Sequence, residues 1–143
     1  VQPPRIGSGQ VDVTKPRAGE NLAMLKDPGN PLSKRQIFFD YDRFDVKDEY
    51  RPLVEAHAKY LRENPSAKML IQGNADERGS REYNIALGQK RSENVKKMLM
   101  LLGARESQLE AVSLGEEKPM CNEHNEDCWA KNRRGEMLYG GEY

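Results

Sequence analysis

The apolar tripeptide Met69-Leu70-Ile71 runs into a turn crowded with charge, Gly73-Asn74-Ala75-Asp76-Glu77-Arg78-Gly79, and then into a long helical pattern stopped by Gly103. A short apolar strand followed by a long helix buries its surface by packing one element on the other, so this unit commits the chain to an α/β layer architecture. The helix, expected from about Arg81 to Leu102, turns Leu87, Val95, Met98, Leu99 and Leu102 inward. The same spacing places Asn84 and Arg91 on that stripe. Polar groups there cost stability unless something satisfies them.

The flanking sequence extends the pattern. Gln36-Ile37-Phe38-Phe39 reads as a buried strand closed by the acidic turn Asp40-Tyr41-Asp42. Val46, Tyr50, Leu53, Val54, His57, Ala58 and Leu61 then recur at helical spacing. Proline is tolerated only in the first helical turn, so Pro52 puts the helix start near Asp48, and Asn64-Pro65 ends it. His57 lies on the apolar face and reads as a packed core histidine. Lys68 to Gln72, Leu109 to Leu114 and Arg134 to Tyr139 are the remaining strands, with a short helix expected around Trp129. The order β-α-β-α-β-(α)-β predicts an α/β (α+β) sandwich, helices packed on a four-stranded mixed sheet.

Residues 1–33 hold five of the eight prolines, four glycines and few large apolar residues, which is the composition of a flexible tether. Within them only Leu22-Ala23-Met24-Leu25 could dock or form a helical turn. Residues 34–140 form the expected domain, and 141–143 a tail. Charged residues make up 32% of the chain with 23 of each sign, a balance that argues against a nucleic-acid partner. Mean hydropathy is −0.90, and no apolar run approaches the ~18 residues of a membrane-spanning helix. No signal peptide is recognisable from Val1 onward. Cys121 and Cys128 lie close together with His124 between them. A short disulfide loop is one reading, and a metal site short of its fourth ligand is the other.

If the first two strands run parallel, Asp40 and Asp42 share a rim with Asp76, Glu77 and Arg78. Spacings of three and four bring Asn84, Leu87 and Arg91 to that rim on one helix face. Arginine offers a planar fork for a carboxylate, and Asp76 can hold an ammonium group. Together they would receive a zwitterion. The plainer alternative is an Asp76–Arg91 pair that staples turn to helix, worth about 0–1 kcal/mol at a surface. A glycosidase could use the rim carboxylates as a pair, but one acid would have to stay protonated, and the nearby arginines oppose that. No nucleophile–base arrangement, metal set or cofactor motif stands out, and no catalytic residue is assigned.

From Phe38 to Arg134 the motifs carry a specific resemblance. They are Phe38-Phe39-Asp40-Tyr41-Asp42, Gly73 to Gly79, Glu82-Tyr83-Asn84, Leu87-Gly88-Gln89-Lys90-Arg91, Ser113 to Pro119, and Lys131-Asn132-Arg133-Arg134. The sequence resembles the OmpA-like peptidoglycan-binding domains, and within them the peptidoglycan-associated lipoproteins of the Tol–Pal system. The resemblance implies that Asp76 takes the ammonium group and Arg91 the carboxylate of meso-diaminopimelate in the peptide stem. It also implies contacts from the turn at Phe39, Asp40 and Tyr41, a lining role for Asn84 and Leu87, and a structural or rim role for Arg78. The implied partners are peptidoglycan, the periplasmic propeller protein TolB, and the outer membrane through an N-terminal lipid whose cysteine this chain does not carry. The implied location is the periplasmic side of the outer membrane. Asn74 departs from a common histidine and Ser92 from a common alanine. The cysteine loop resembles the disulfide-bearing loop of other OmpA-like domains, which favours the bridge. An outer-membrane protein's periplasmic domain outside the Tol–Pal system is the remaining alternative.

Overall fold

The computed structural model describes residues 25–143, in two compact units divided after Lys34. Residues 1–24 of the expected tether (1–33), with most of its apolar patch, lie outside the described residues. In the first unit, Asn30 caps a 3-10 turn at Pro31–Ser33 by accepting the Leu32 amide at 2.9 Å.

The second unit, residues 35–143, holds seven main elements. These are β1 (Gln36–Phe38), α1 (Arg51–Glu63), β2 (Met69–Asn74), α2 (Arg81–Leu101), β3 (Leu109–Gly115), α3 (Glu126–Asn132) and β4 (Arg134–Tyr139). The sheet order is β1-β4-β2-β3. β4 is antiparallel to β1 and β2, and β2 is parallel to β3. β1 and β2 therefore run the same way but are separated by the last strand. The four-stranded mixed sheet agrees with the sequence expectation, with boundaries moved slightly. β1 stops one residue before Phe39, which leaves the ladder but stays buried. β2 runs on through Gly73 and Asn74, because both pair with β3 across a register shift.

Strand alternation sends Ile37, Met69, Ile71, Met137 and Tyr139 to one sheet face, all nearly or fully buried. α1 supplies Val54, Ala58 and Leu61 to the core, and α2 supplies Leu87, Val95 and Leu99. Met98 and Leu102, expected inward, are half-buried, and Gly88 and Ser92 are buried in the stripe instead. A 3-10 turn at Asp48–Tyr50 leads into α1, with Pro52 in its first turn as the sequence required. Ser80 caps α2 by accepting the Tyr83 amide at 3.0 Å. His57 is a core histidine: it is fully buried, with Nδ1 2.6 Å from the Tyr139 hydroxyl.

α2 lies unusually close to β2. A Cβ on Gly73 would overlap the Gly88 carbonyl, and one on Gly88 would sit 2.7 Å from the Gly73 oxygen. Two glycines facing each other thus set the height of the helix above the sheet. Gly88→Ala should lower stability by about 1–3 kcal/mol, seen as a fall of several degrees in melting temperature.

Cys121 and Cys128 form a disulfide with their Cα atoms 5.4 Å apart, so the bridge reading holds over the metal reading. Alkylation of the native protein without reductant should find no free thiol. Alkylation after reduction and unfolding should find two.

Candidate functional site

Because β4 runs against its neighbours, the C-terminal ends of β1, β2 and β3 meet the start of β4 at one sheet edge. A cavity of about 150 Å³ opens there. Its wall and floor include Asp42, Asp76, Tyr83, Asn84, Leu87 and Arg91. The parallel relation on which the zwitterion reading depended is present, although β1 and β2 do not pair directly.

Arg91 is fully buried. Its Nε donates to the Arg43 carbonyl at 2.8 Å, its Nη1 to the Asn74 carbonyl at 2.8 Å and its Nη2 to the Asp40 carbonyl at 3.2 Å. The guanidinium carbon lies 5.2 Å from the centre of the Phe39 ring. Among the described residues Arg91 forms hydrogen bonds to carbonyl groups and no ion pair. Burial, with the repulsion of Arg133, draws its pKa down to about 10, against the attraction of Asp76 and Asp42. At neutral pH it remains a cation, so an unneutralised positive charge lies under the cavity floor.

Asp76 is 5% exposed and is paired within its own turn. Oδ1 accepts the Arg78 amide at 2.9 Å and Nε at 3.2 Å, while Oδ2 accepts Arg78 Nη2 at 2.9 Å. Arg133 Nη1 approaches Oδ2 at 3.6 Å. Burial alone would push this carboxyl up. The hydrogen bonds from Arg78 and the charges of Arg78 and Arg133 outweigh it and hold the group below the usual carboxylate value. The direct Asp76–Arg91 staple is absent, since Asp76 pairs with Arg78 and Arg133 instead.

Arg78 is the hub of the outer wall. Its guanidinium carbon lies over the rings of both Tyr41 and Trp129, 4.1 Å from each ring centre. Arg133 donates from Nε to the Phe39 carbonyl at 2.9 Å and pairs with Glu126 of α3, also at 2.9 Å. Glu77 accepts the indole N–H of Trp129 at 2.8 Å and lies 2.5 Å from His124 Nδ1. The hydrogen bond to Glu77 raises the His124 pKa.

The other expected residues divide in two. Asn84, 1% exposed, donates to Glu116 at 2.6 Å, and Leu87 lies beside it on the cavity wall. Tyr41 lines the cavity too. By contrast, Phe39 is packed into the core, and the Asp40 carboxylate turns outward to Lys47 at 3.2 Å. Their links to the site are the main-chain carbonyls, to Arg133 from Phe39 and to Arg91 from Asp40, and the Phe39 ring under the Arg91 guanidinium. The neighbouring Asp42 reaches the cavity instead, held at φ 57° and hydrogen-bonded by the Tyr83 hydroxyl. An aspartate tolerates that left-handed backbone better than most residues. Sequence reasoning did not assign site roles to Tyr83, Trp129 or Arg133. The available signal for the last was Arg133-Arg134, two consecutive arginines at a strand start in a chain of balanced charge.

The OmpA family model matches residues 38–133. The peptidoglycan-associated lipoprotein of Haemophilus influenzae is 47% identical over 103 residues, covering 72% of this chain and 67% of that protein. The peptidoglycan-associated lipoprotein of Legionella pneumophila is 44% identical over 137 residues, covering 92% and 78% respectively. The crystal structure of the peptidoglycan-associated lipoprotein from Burkholderia pseudomallei superposes with a TM-score of 0.80 at 52% identity, over 81% of this chain and 98% of that one. The C-terminal domain of Helicobacter pylori MotB shares the fold alone, with a TM-score of 0.67 at 21% identity over 73% of this chain and 81% of that one. The family match across residues 38–133, with relatives at 44% and 47% identity, places the chain in the OmpA family.

Proposed function

We propose that this chain binds peptidoglycan non-covalently, through the meso-diaminopimelate of the stem peptide, at the cavity floored by Arg91. The observation that carries the reading is a buried guanidinium with no carboxylate partner among the described residues, set under a cavity walled by Asp76 and Asp42. A zwitterionic amino-acid terminus matches that charge pattern, its carboxylate toward Arg91 and its ammonium group toward Asp76. The cavity, about 150 Å³, suits such a terminus and not a whole sugar–peptide unit. Arg78, locked against Asp76, acts as a rim residue.

Several relatives are named peptidoglycan-associated lipoproteins, after an association and not a reaction, and that supports a binding protein over a hydrolase. By the same likeness we assign the chain to the periplasmic side of the outer membrane, linking that membrane to the cell wall within the Tol–Pal system. TolB is the protein partner this assignment implies. Membrane attachment would come from an N-terminal lipid.

Asp76→Ala and Arg91→Ala should each weaken binding by roughly tens to thousands of fold, the cost of breaking a desolvated charge pair. Sacculus pull-down and titration with a diaminopimelate-containing stem peptide measure this, with circular dichroism as the check on folding. Arg91→Lys keeps the charge but not the fork, and should also bind weakly. Undiminished binding by folded Asp76 and Arg91 variants would falsify the assignment.

The acid limb has a definite sign. Asp76 titrates below its ordinary value, so its stabilising charge is present above about pH 4 and is lost as the pH falls through the lower, folded value. Stem-peptide affinity governed by Asp76 should therefore stay level from about pH 7 down to pH 5 and fall only below about pH 4. A fall centred above about pH 6.5 would instead point to His124, whose pKa is raised by Glu77.

A further inference from the structure

The short helix α3 carries no residue that lines the cavity, yet one of its side chains governs the acid that does. Trp129 touches two successive residues of the binding turn in different ways. The indole face covers the Arg78 guanidinium at 4.1 Å, and the indole N–H donates to the Glu77 carboxylate at 2.8 Å. Arg78 in turn supplies three of the hydrogen bonds that hold Asp76. The guanidinium also lies over the Tyr41 ring, at 4.1 Å from its centre. Two aromatic rings thus pack against the guanidinium whose fork meets both Asp76 oxygens.

The ring is itself held from behind. Its neighbour Cys128 is 1% exposed and bridged to Cys121. The Trp129 amide donates to the Asn125 carbonyl at 2.9 Å, and Asn125 caps α3 through the Cys128 amide. One turn on, Asn132 accepts the amides of Met120 and Cys121 at 2.8 and 3.2 Å. A long arginine left alone on a turn would sample many rotamers and hold Asp76 only part of the time.

We propose that Trp129 is a positioning residue for ligand binding: it fixes Arg78 so that the Asp76 carboxylate is presented at one position and orientation. The proposal rests on the reading of Asp76 as the acid that meets the ligand's ammonium group. Trp129 need not touch the ligand.

Two substitutions separate stacking from bulk filling. Trp129→Leu fills part of the volume without a π-face, and Trp129→Phe keeps a ring but loses the N–H to Glu77. The Asp76 carboxyl is titrated by NMR in each folded protein, and affinity for a diaminopimelate-containing stem peptide is measured by calorimetry. In Trp129→Leu the Asp76 midpoint should move up toward that of a free aspartate, and affinity should drop about threefold to tenfold, the range of one partly exposed cation–π contact. Trp129→Phe should lie between Trp129→Leu and the unaltered protein on both readouts. An Asp76 midpoint unchanged in Trp129→Leu overturns the proposal, whatever the affinity does. If the unaltered protein fails to bind the peptide, the functional reading fails, and the titration still decides whether Trp129 positions Asp76.

Discussion

The buried Arg91 guanidinium is the constraint around which the cavity edge of the sheet is arranged. Removing a cation from water is costly, and here the hydrogen bonds that compensate come from three main-chain oxygens, with Asp76 and Asp42 acting only from a distance. Those oxygens belong to the β1–α1 loop and to the end of β2, so one side chain from α2 ties together two segments that otherwise have little in common. The close Gly73–Gly88 approach brings the helix near enough for the reach to succeed. A carboxylate in the same place would have neutralised the site. Carbonyl dipoles hold the cation while leaving its charge available to the cavity.

The acidic side is built on the opposite principle. Asp76 is not an open carboxylate waiting in solvent; it is already fixed by Arg78 and approached by Arg133. Those arginines extend into contacts with Tyr41, Glu126 and the Phe39 carbonyl. A ligand arriving there meets charges whose positions have been settled by folding, so little further ordering is needed on binding. The disulfide-closed segment contributes by position, standing behind the wall that faces the cavity.

Much of this architecture was legible in local patterns. Periodicity located both long helices, Pro52 marked the first turn of α1, and Gly103 closed α2 with a φ of 111°. Asn84 and Arg91 were visible as polar residues on a buried stripe, because that placement conflicts with helical amphipathicity unless it has a purpose. What Arg91 would bond to was not legible, since its acceptors are main-chain oxygens 17 to 51 residues away. Asp40 and Asp42 were both expected on the rim, and that Asp42 alone of the two lines the cavity goes with its left-handed backbone, which no spacing rule anticipates. Trp129 read only as part of a short helix, because its contact with Arg78 joins residues far apart in sequence. Patterns that depend on neighbours in the chain were readable, and those that depend on the crossing of distant loops were not.

The position of β4 has a consequence for how the molecule comes into being. The strand that separates β1 from β2 is the last in the sequence, and Arg133, at its threshold, bonds to the Phe39 carbonyl. A chain made from its N-terminus can form α1, α2 and the β2–β3 pair early, but among the described residues the strand that pairs with β1 is β4. Such pairings across large sequence separations carry a loop-closure cost that must be met before they stabilise anything. The cavity edge therefore takes shape only when nearly the whole sequence is in hand. A prematurely ended chain would carry the binding turn without the sheet edge that gives it its geometry.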